Sequence, residues 1–180
     1  MKLWCASIMV VAIVACAGCE RKPEESATPS PKAPKALSPA EASAARHTIM
    51  AWLECEECEE GELEGVVRLG RVAVATLGAT LNQGPSPASR EELRLHLVDT
   101  YQKLSEYARS HPEATMSMAE DEYVRTYMDN YVALYRVRSA QALAAIGGPE
   151  ARRHLQRASE QELRADVKSV VAESIRGLKE

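Results

Sequence analysis

The sharpest chemical feature of the chain is Cys55-Glu56-Glu57-Cys58. Two cysteines at this spacing can form a redox couple, half of a zinc site, or a local disulfide. A redox cysteine needs its pKa lowered by cations or a helix N-terminus. Here Glu54, Glu56, Glu57, Glu59, Glu60, Glu62 and Glu64 crowd the pair, and carboxylates disfavour a thiolate. Zinc needs about four ligands. Beyond Cys19 no second CxxC occurs, no HExxH occurs anywhere, and His47, His96, His111 and His154 are scattered, with His47 the nearest to the pair in sequence. A disulfide between Cys55 and Cys58 is therefore the expected chemistry. Residues three apart on a helical turn can meet the distance condition. Such a bond would clamp the end of a first helix and the turn toward Gly61. A thiol-redox or metal-binding role for Cys55 and Cys58 is the alternative.

Tyr123, Tyr127, Tyr131 and Tyr135 recur every fourth position, and all six tyrosines lie between Tyr101 and Tyr135. Four-residue steps keep a slowly drifting stripe on one helix face. That stripe is either a packing ridge or an exposed surface for a partner, since tyrosine is enriched at interfaces. The acidic run reads as a solvated turn, because it lacks the Asp spacing and central Gly of a calcium loop. No nucleophile–base constellation is evident, so the chain is expected to be non-catalytic, with no cofactor and no resident metal.

The start of the chain says where it would work. Lys2 precedes the almost wholly apolar Leu3–Gly18, which ends in Ala17-Gly18-Cys19 before Pro-rich polar sequence. A charged start, an apolar middle and small residues at the cut make a secretory signal. Its apolar run is short of the roughly 20 residues that cross a bilayer comfortably. The cysteine after the small residues resembles the lipobox of bacterial lipoproteins, and Ile13-Val14-Ala15-Cys16 fits the same loose pattern. The resemblance implies cleavage before Cys19, lipidation there, and a membrane held through two or more acyl chains, each methylene contributing about 0.8 kcal/mol. It further implies a bacterial envelope address. Glu20, in place of the Asp that retains some lipoproteins in the inner membrane, favours the outer membrane facing the periplasm. Cys5 and Cys16 then leave with residues 1–18, Cys19 takes lipid, and Cys55 and Cys58 remain as an even pair in an oxidising compartment.

Residues 19–37 form the lipidated cysteine and its tether. Pro23, Pro29, Pro31 and Pro34 lie among small and charged residues that can build no core. The rest, 38–180, is one domain. The 180-residue chain has 22 basic and 26 acidic side chains, net −4, which argues against nucleic acid as a partner. With no Phe, a core must come from Leu, Val, Ile, Ala, Met and Tyr.

Apolar spacing near 3.6 predicts six to seven helices and no strand. They span Pro39 to about Glu54, Glu62 to Leu69, Arg71 to Gln83, Arg90 to Ser110, Met118 to Ile146, Glu150 to Ala158 and Glu160 to Leu178. Ser-x-x-Glu boxes at Ser38/Glu41, Ser89/Glu92, Ser117/Glu120 and Ser159/Glu162 suggest starts. Leu69-Gly70-Arg71-Val72-Ala73 and Ile146-Gly147-Gly148-Pro149-Glu150-Ala151 each resemble the turn and second helix of a HEAT repeat. Ala73 and Ala151 stand 78 positions apart, near two periods of roughly 40 residues. The fold class is thus all-α, either a short HEAT-like α-solenoid or an irregular bundle. The resemblance implies a protein-binding or scaffolding module with a partner in the envelope.

Overall fold

The computed structural model describes residues 37–58, 60–111 and 113–178. The signal, the lipidation positions Cys16 and Cys19, and the tether up to residue 36 lie outside them. The described residues form seven α-helices and no strand: α1 (Pro39–Glu54), α2 (Glu60–Leu69), α3 (Arg71–Gln83), α4 (Pro87–Ser110), α5 (Glu120–Ile146), α6 (Gly148–Ser159) and α7 (Ala165–Gly177). The all-α expectation holds.

α1 begins as its sequence dictates. The Ser38 hydroxyl accepts from the Glu41 amide at 3.3 Å, and the Ser38 amide donates to the Glu41 carboxylate at 2.8 Å. Two of the helix's orphan donors are met this way. The other three boxes do not cap. α4 starts at Ser86, whose hydroxyl takes the Ser89 amide, with Pro87 in the first helical position. α5 is preceded by Ala119 without a side-chain cap. Ser159 ends α6 by donating to the Gln156 carbonyl, and α7 begins only at Ala165. There Arg164 grips Asp166 at 2.6 and 2.8 Å and reaches Asn130 of α5 at 2.7 Å. The Arg164 guanidinium and the Val167 amide pull the Asp166 carboxyl down to about 2.

The core sits around α3 and the second half of α5. α3 buries Ala73, Val74, Leu77, Gly78 and Leu81, and packs on α5 and α6; α7 covers α5 with Val167 and Val171. α1 contributes Ala45, Ile49, Trp52 and Leu53, as its spacing predicts. Ala73 and Ala151, the two alanines matched by the HEAT resemblance, are both fully buried, and their helices α3 and α6 pack together. Gly70 and Gly147, in the turns before α3 and α6, hold φ at 54° and 71°, a region that favours glycine. α3 and α6 approach closely at Gly78. The His154 ring of α6 occupies the space where a side-chain Cβ would stand.

α4 is different. It runs for 24 residues, about 36 Å at 1.5 Å per residue, yet buries only Leu97 and packs on α5 alone among the described elements. The first half of α5 buries nothing before Ala133. α4 and the start of α5 therefore form a two-helix hairpin that leaves the core. Leu104, on the same helical apolar row as Leu93, Leu97 and Tyr101, is 42 % exposed for this reason.

Candidate functional site

The end of α1 is the best-built polar feature of the molecule. The last carbonyls of a helix lack internal partners, and the last turn of α1 carries no basic residue. Buried Arg138 of α5 supplies the missing donor, reaching the Leu53 carbonyl at 2.8 Å. In return the Trp52 indole donates to the Arg138 carbonyl at 3.0 Å. The Tyr135 hydroxyl donates to the Glu54 carboxylate at 2.6 Å and accepts from Tyr131 at 3.0 Å. Three consecutive residues of α1 are thus held by two residues of α5.

Cys55 follows at once as the C-cap of α1. Its sulfur and that of Cys58 stand at disulfide distance, with Cα atoms 5.2 Å apart. Gly61 lies inside the first turn of α2 rather than in the linking turn. The Glu62 carboxylate, also on that turn, comes within 4.8 Å of both sulfurs. Glu62 is one of the seven acids that crowd the pair in sequence, and the start of α2 at Glu60, two residues earlier than expected, is what brings it to the sulfurs. His47 is exposed and is not part of this cluster. His96 is exposed, His111 stacks on Tyr107 at 3.8 Å, and His154 lies on Gly78. Among the described residues, the only serine hydroxyl within hydrogen-bonding distance of a histidine nitrogen is that of Ser110, 3.2 Å from His111 Nδ1. That hydroxyl donates to the Glu106 and Tyr107 carbonyls, and His111 Nδ1 lies 2.9 Å from the Tyr107 carbonyl. These groups finish α4.

The bond closes a loop so short that chain entropy accounts for about 2 kcal/mol. Reduction of the purified protein should lower stability by that amount and fray the end of α1. Urea unfolding with and without reductant measures it. Equal midpoints would mean that the Arg138 and Tyr135 contacts hold α1 without help.

Tyr135 carries a pH signature. Burial, the bond to Glu54 and the bond from Tyr131 push its hydroxyl pKa upward. The fold thus favours the neutral hydroxyl. That contribution is complete below the unfolded value near 10 and fades as pH rises beyond it, by up to about 1.4 kcal/mol per pH unit. Tyr135→Phe should cost about 1 kcal/mol at neutral pH and flatten the alkaline fall. Parallel denaturation series would show identical alkaline slopes if the hydroxyl is unimportant.

The four tyrosines divide. Tyr135 is 3 % exposed and belongs to the interior. Tyr131 is half-buried beside it. Tyr123 packs between Tyr101 and Tyr127, with ring centroids 5.5 and 4.5 Å away. Tyr127 is 48 % exposed on the hairpin, which also shows Leu95, Leu104 and Tyr107 to solvent; Leu134 is exposed where the hairpin meets the core. A separate cavity of about 760 Å³ lies between the end of α5 and α7, lined mostly by small and apolar residues together with Gln141, and with Glu173 its only titratable group among the described residues. Its size suits a small ligand, and its lining offers contact rather than proton transfer.

Among the described residues the protein is all-α, with an exposed hairpin, this cavity and one cysteine–carboxylate cluster. Comparison with family models, with curated proteins and with solved structures finds no match. No helix among the described residues is long and apolar enough to cross a membrane.

Proposed function

We propose that this chain is an envelope lipoprotein, fastened through Cys19, whose helical body binds another envelope protein without catalysing a reaction. The observation that carries the binding role is the α4–α5 hairpin. It displays Leu95, Leu104, Tyr107 and Tyr127 over a stretch where only Leu97 is buried. Exposed aromatic and aliphatic groups grouped on one element mark interaction surfaces. The anchoring role is supported by Lys2, the apolar Leu3–Gly18 and the Ala17-Gly18-Cys19 ending.

One experiment addresses both parts. The tagged full chain is crosslinked in intact envelopes and fractionated. Wild type should sediment with membranes and yield a discrete crosslinked partner. Cys19→Ser should move the protein to the soluble fraction. Leu104→Asp with Tyr127→Asp should abolish the partner band while stability changes by only about 0.5 kcal/mol per site, as for ordinary surface positions. A retained band in the double variant removes the hairpin from the account. Membrane attachment that ignores the serine substitution removes Cys19.

The second reading rests on the Cys55, Cys58 and Glu62 cluster. Two thiols and a carboxylate at this spacing suit a borderline divalent cation once the disulfide is reduced. Stoichiometric zinc uptake by the reduced chain, lost on Glu62→Gln, would promote it.

A further inference from the structure

The hollow between the end of α5 and α7 is built where two helices stop. Ile146 is the last residue of α5 and Gly177 the last of α7, and both line it. The final carbonyls of a helix have no partner within it, and its C-terminus is the negative end of the dipole. The Gly147 amide takes the Leu143 carbonyl, and no basic residue stands in the last turn of α5. Arg176, in the last turn of α7, does not line the hollow. α6 starts from the same turn, but Pro149 brings no N–H to its first turn and Glu150 sets a carboxylate there. Arg71 and Arg153 line a different, smaller hollow beside that turn. Among the described residues, the charged side chain lining the larger hollow is that of Glu173 alone.

Its polar groups stand at two depths. Glu173 and Gln141 are exposed at the rim. Ser174 also lines the hollow but is only 7 % exposed. Its hydroxyl makes no hydrogen bond among the described residues, yet it is not sealed from solvent. The hollow is the space that hydroxyl can reach, and a buried polar group without a partner calls for an explanation. Gly177 is a further sign. It holds no left-handed φ, and a Cβ placed on it would meet nothing within 4 Å. Neither backbone nor packing asks for glycine there, and alanine would favour the helix. What the missing side chain leaves is room.

We propose that this hollow receives a small alkylamine. The ammonium would donate to the Ser174 hydroxyl, in the field of the Glu173 carboxylate and the two helix ends. The alkyl stem would lie on Ile146 and Val170. An ammonium suits the place because it is a compact charge with three donors. At about 760 Å³ the hollow is of small-molecule size, so a free amine is the occupant rather than a lysine of another protein.

The test is calorimetric titration of the full chain in neutral detergent at neutral pH. Hexylamine is the probe, with hexan-1-ol and hexanoate as the uncharged and oppositely charged controls. Saturable binding of hexylamine is expected, about tenfold or more tighter than either control. Glu173→Gln should weaken it about tenfold and Ser174→Ala about fivefold. Ser174→Ala should melt no lower than wild type, because the hydroxyl it removes has no partner; a structural serine would lower the melting point. Gly177→Leu should also melt no lower than wild type and should lose the binding, because it fills the space. A capped lysine tripeptide, which carries the same ammonium on a polypeptide, should bind more weakly than hexylamine. No saturable binding, or equal affinity for hexylamine and hexan-1-ol, overturns the proposal. So does unchanged affinity in Glu173→Gln or Gly177→Leu, or tighter binding of the lysine peptide.

Discussion

Trp52→Ala should lower the unfolding free energy by about 3–5 kcal/mol, the range for truncating a large buried aromatic. Trp52 is 6 % exposed and joins the core cluster. It also carries the indole hydrogen bond to the Arg138 carbonyl, across 86 positions of sequence. Trp52→Phe separates the two roles. It retains most of the apolar contact and removes the donor, so about 1–2 kcal/mol should be lost. Because Arg138 returns a bond to the neighbouring Leu53 carbonyl, Trp52→Phe and Arg138→Met should not add. Groups in one network couple by about 0.5–3 kcal/mol. Urea denaturation of the four proteins of the cycle measures this. Additive losses would show that the two bonds act independently and that the end of α1 is not held as a unit. A domain of ordinary stability has about 5–15 kcal/mol in total, so the alanine variant should lose from about a fifth of it to nearly all.

The second large effect is expected at Gly78. Replacing glycine by alanine inside a helix normally gains up to about 1 kcal/mol. At this position the gain should be reversed. An added Cβ would overlap the Nδ1, Cγ and Cε1 atoms of His154, and the ring lies against the α3 backbone. The surroundings resist adjustment. The Asn82 amide donates to the Gly78 carbonyl at 2.7 Å and approaches the His154 carbonyl at 3.5 Å, while Gln161 donates to Asn82 at 2.9 Å. Gly78→Ala should therefore cost about 1–2 kcal/mol and Gly78→Leu about 3, the range for overpacking. Adding His154→Ala to Gly78→Ala should restore most of the loss, since it removes the atoms in the way. A Gly78→Ala protein as stable as wild type would mean the ring swings aside freely.

Much of this architecture was readable from local pattern, and the failures share a cause. α1 and α3 have the bounds expected, because the Ser38/Glu41 box fixes the start of α1 and the buried row of α3 runs from Ala73 to Leu81. α4 began three residues early, because Pro87 at its first position and the Ser86 hydroxyl outcompete the Ser89/Glu92 box. The apolar row of α4 continues in sequence through Leu104, where periodicity persists and the neighbouring helices do not. The tyrosine row divides through helix geometry. Each four-residue step advances roughly 40° around the axis, so Tyr123 and Tyr135 differ by about 120°. One end of the row faces Tyr101 and the other enters the core. The cysteine pair was legible from spacing alone. Its surroundings were not, because Arg138 and Tyr135 approach α1 from more than 80 positions away, and no local signal records a contact of that reach.

The hairpin of α4 and early α5 sets a gradient of opening along the molecule. Amides of α3, enclosed on several sides, should trade hydrogen for deuterium only when the entire body unravels. Those of the outlying coil pair, with little apolar surface to lose, should exchange through far cheaper partial excursions. Anything that grasps the outlying pair would have to quiet those excursions first, and so would slow its isotope uptake while leaving α3 unchanged.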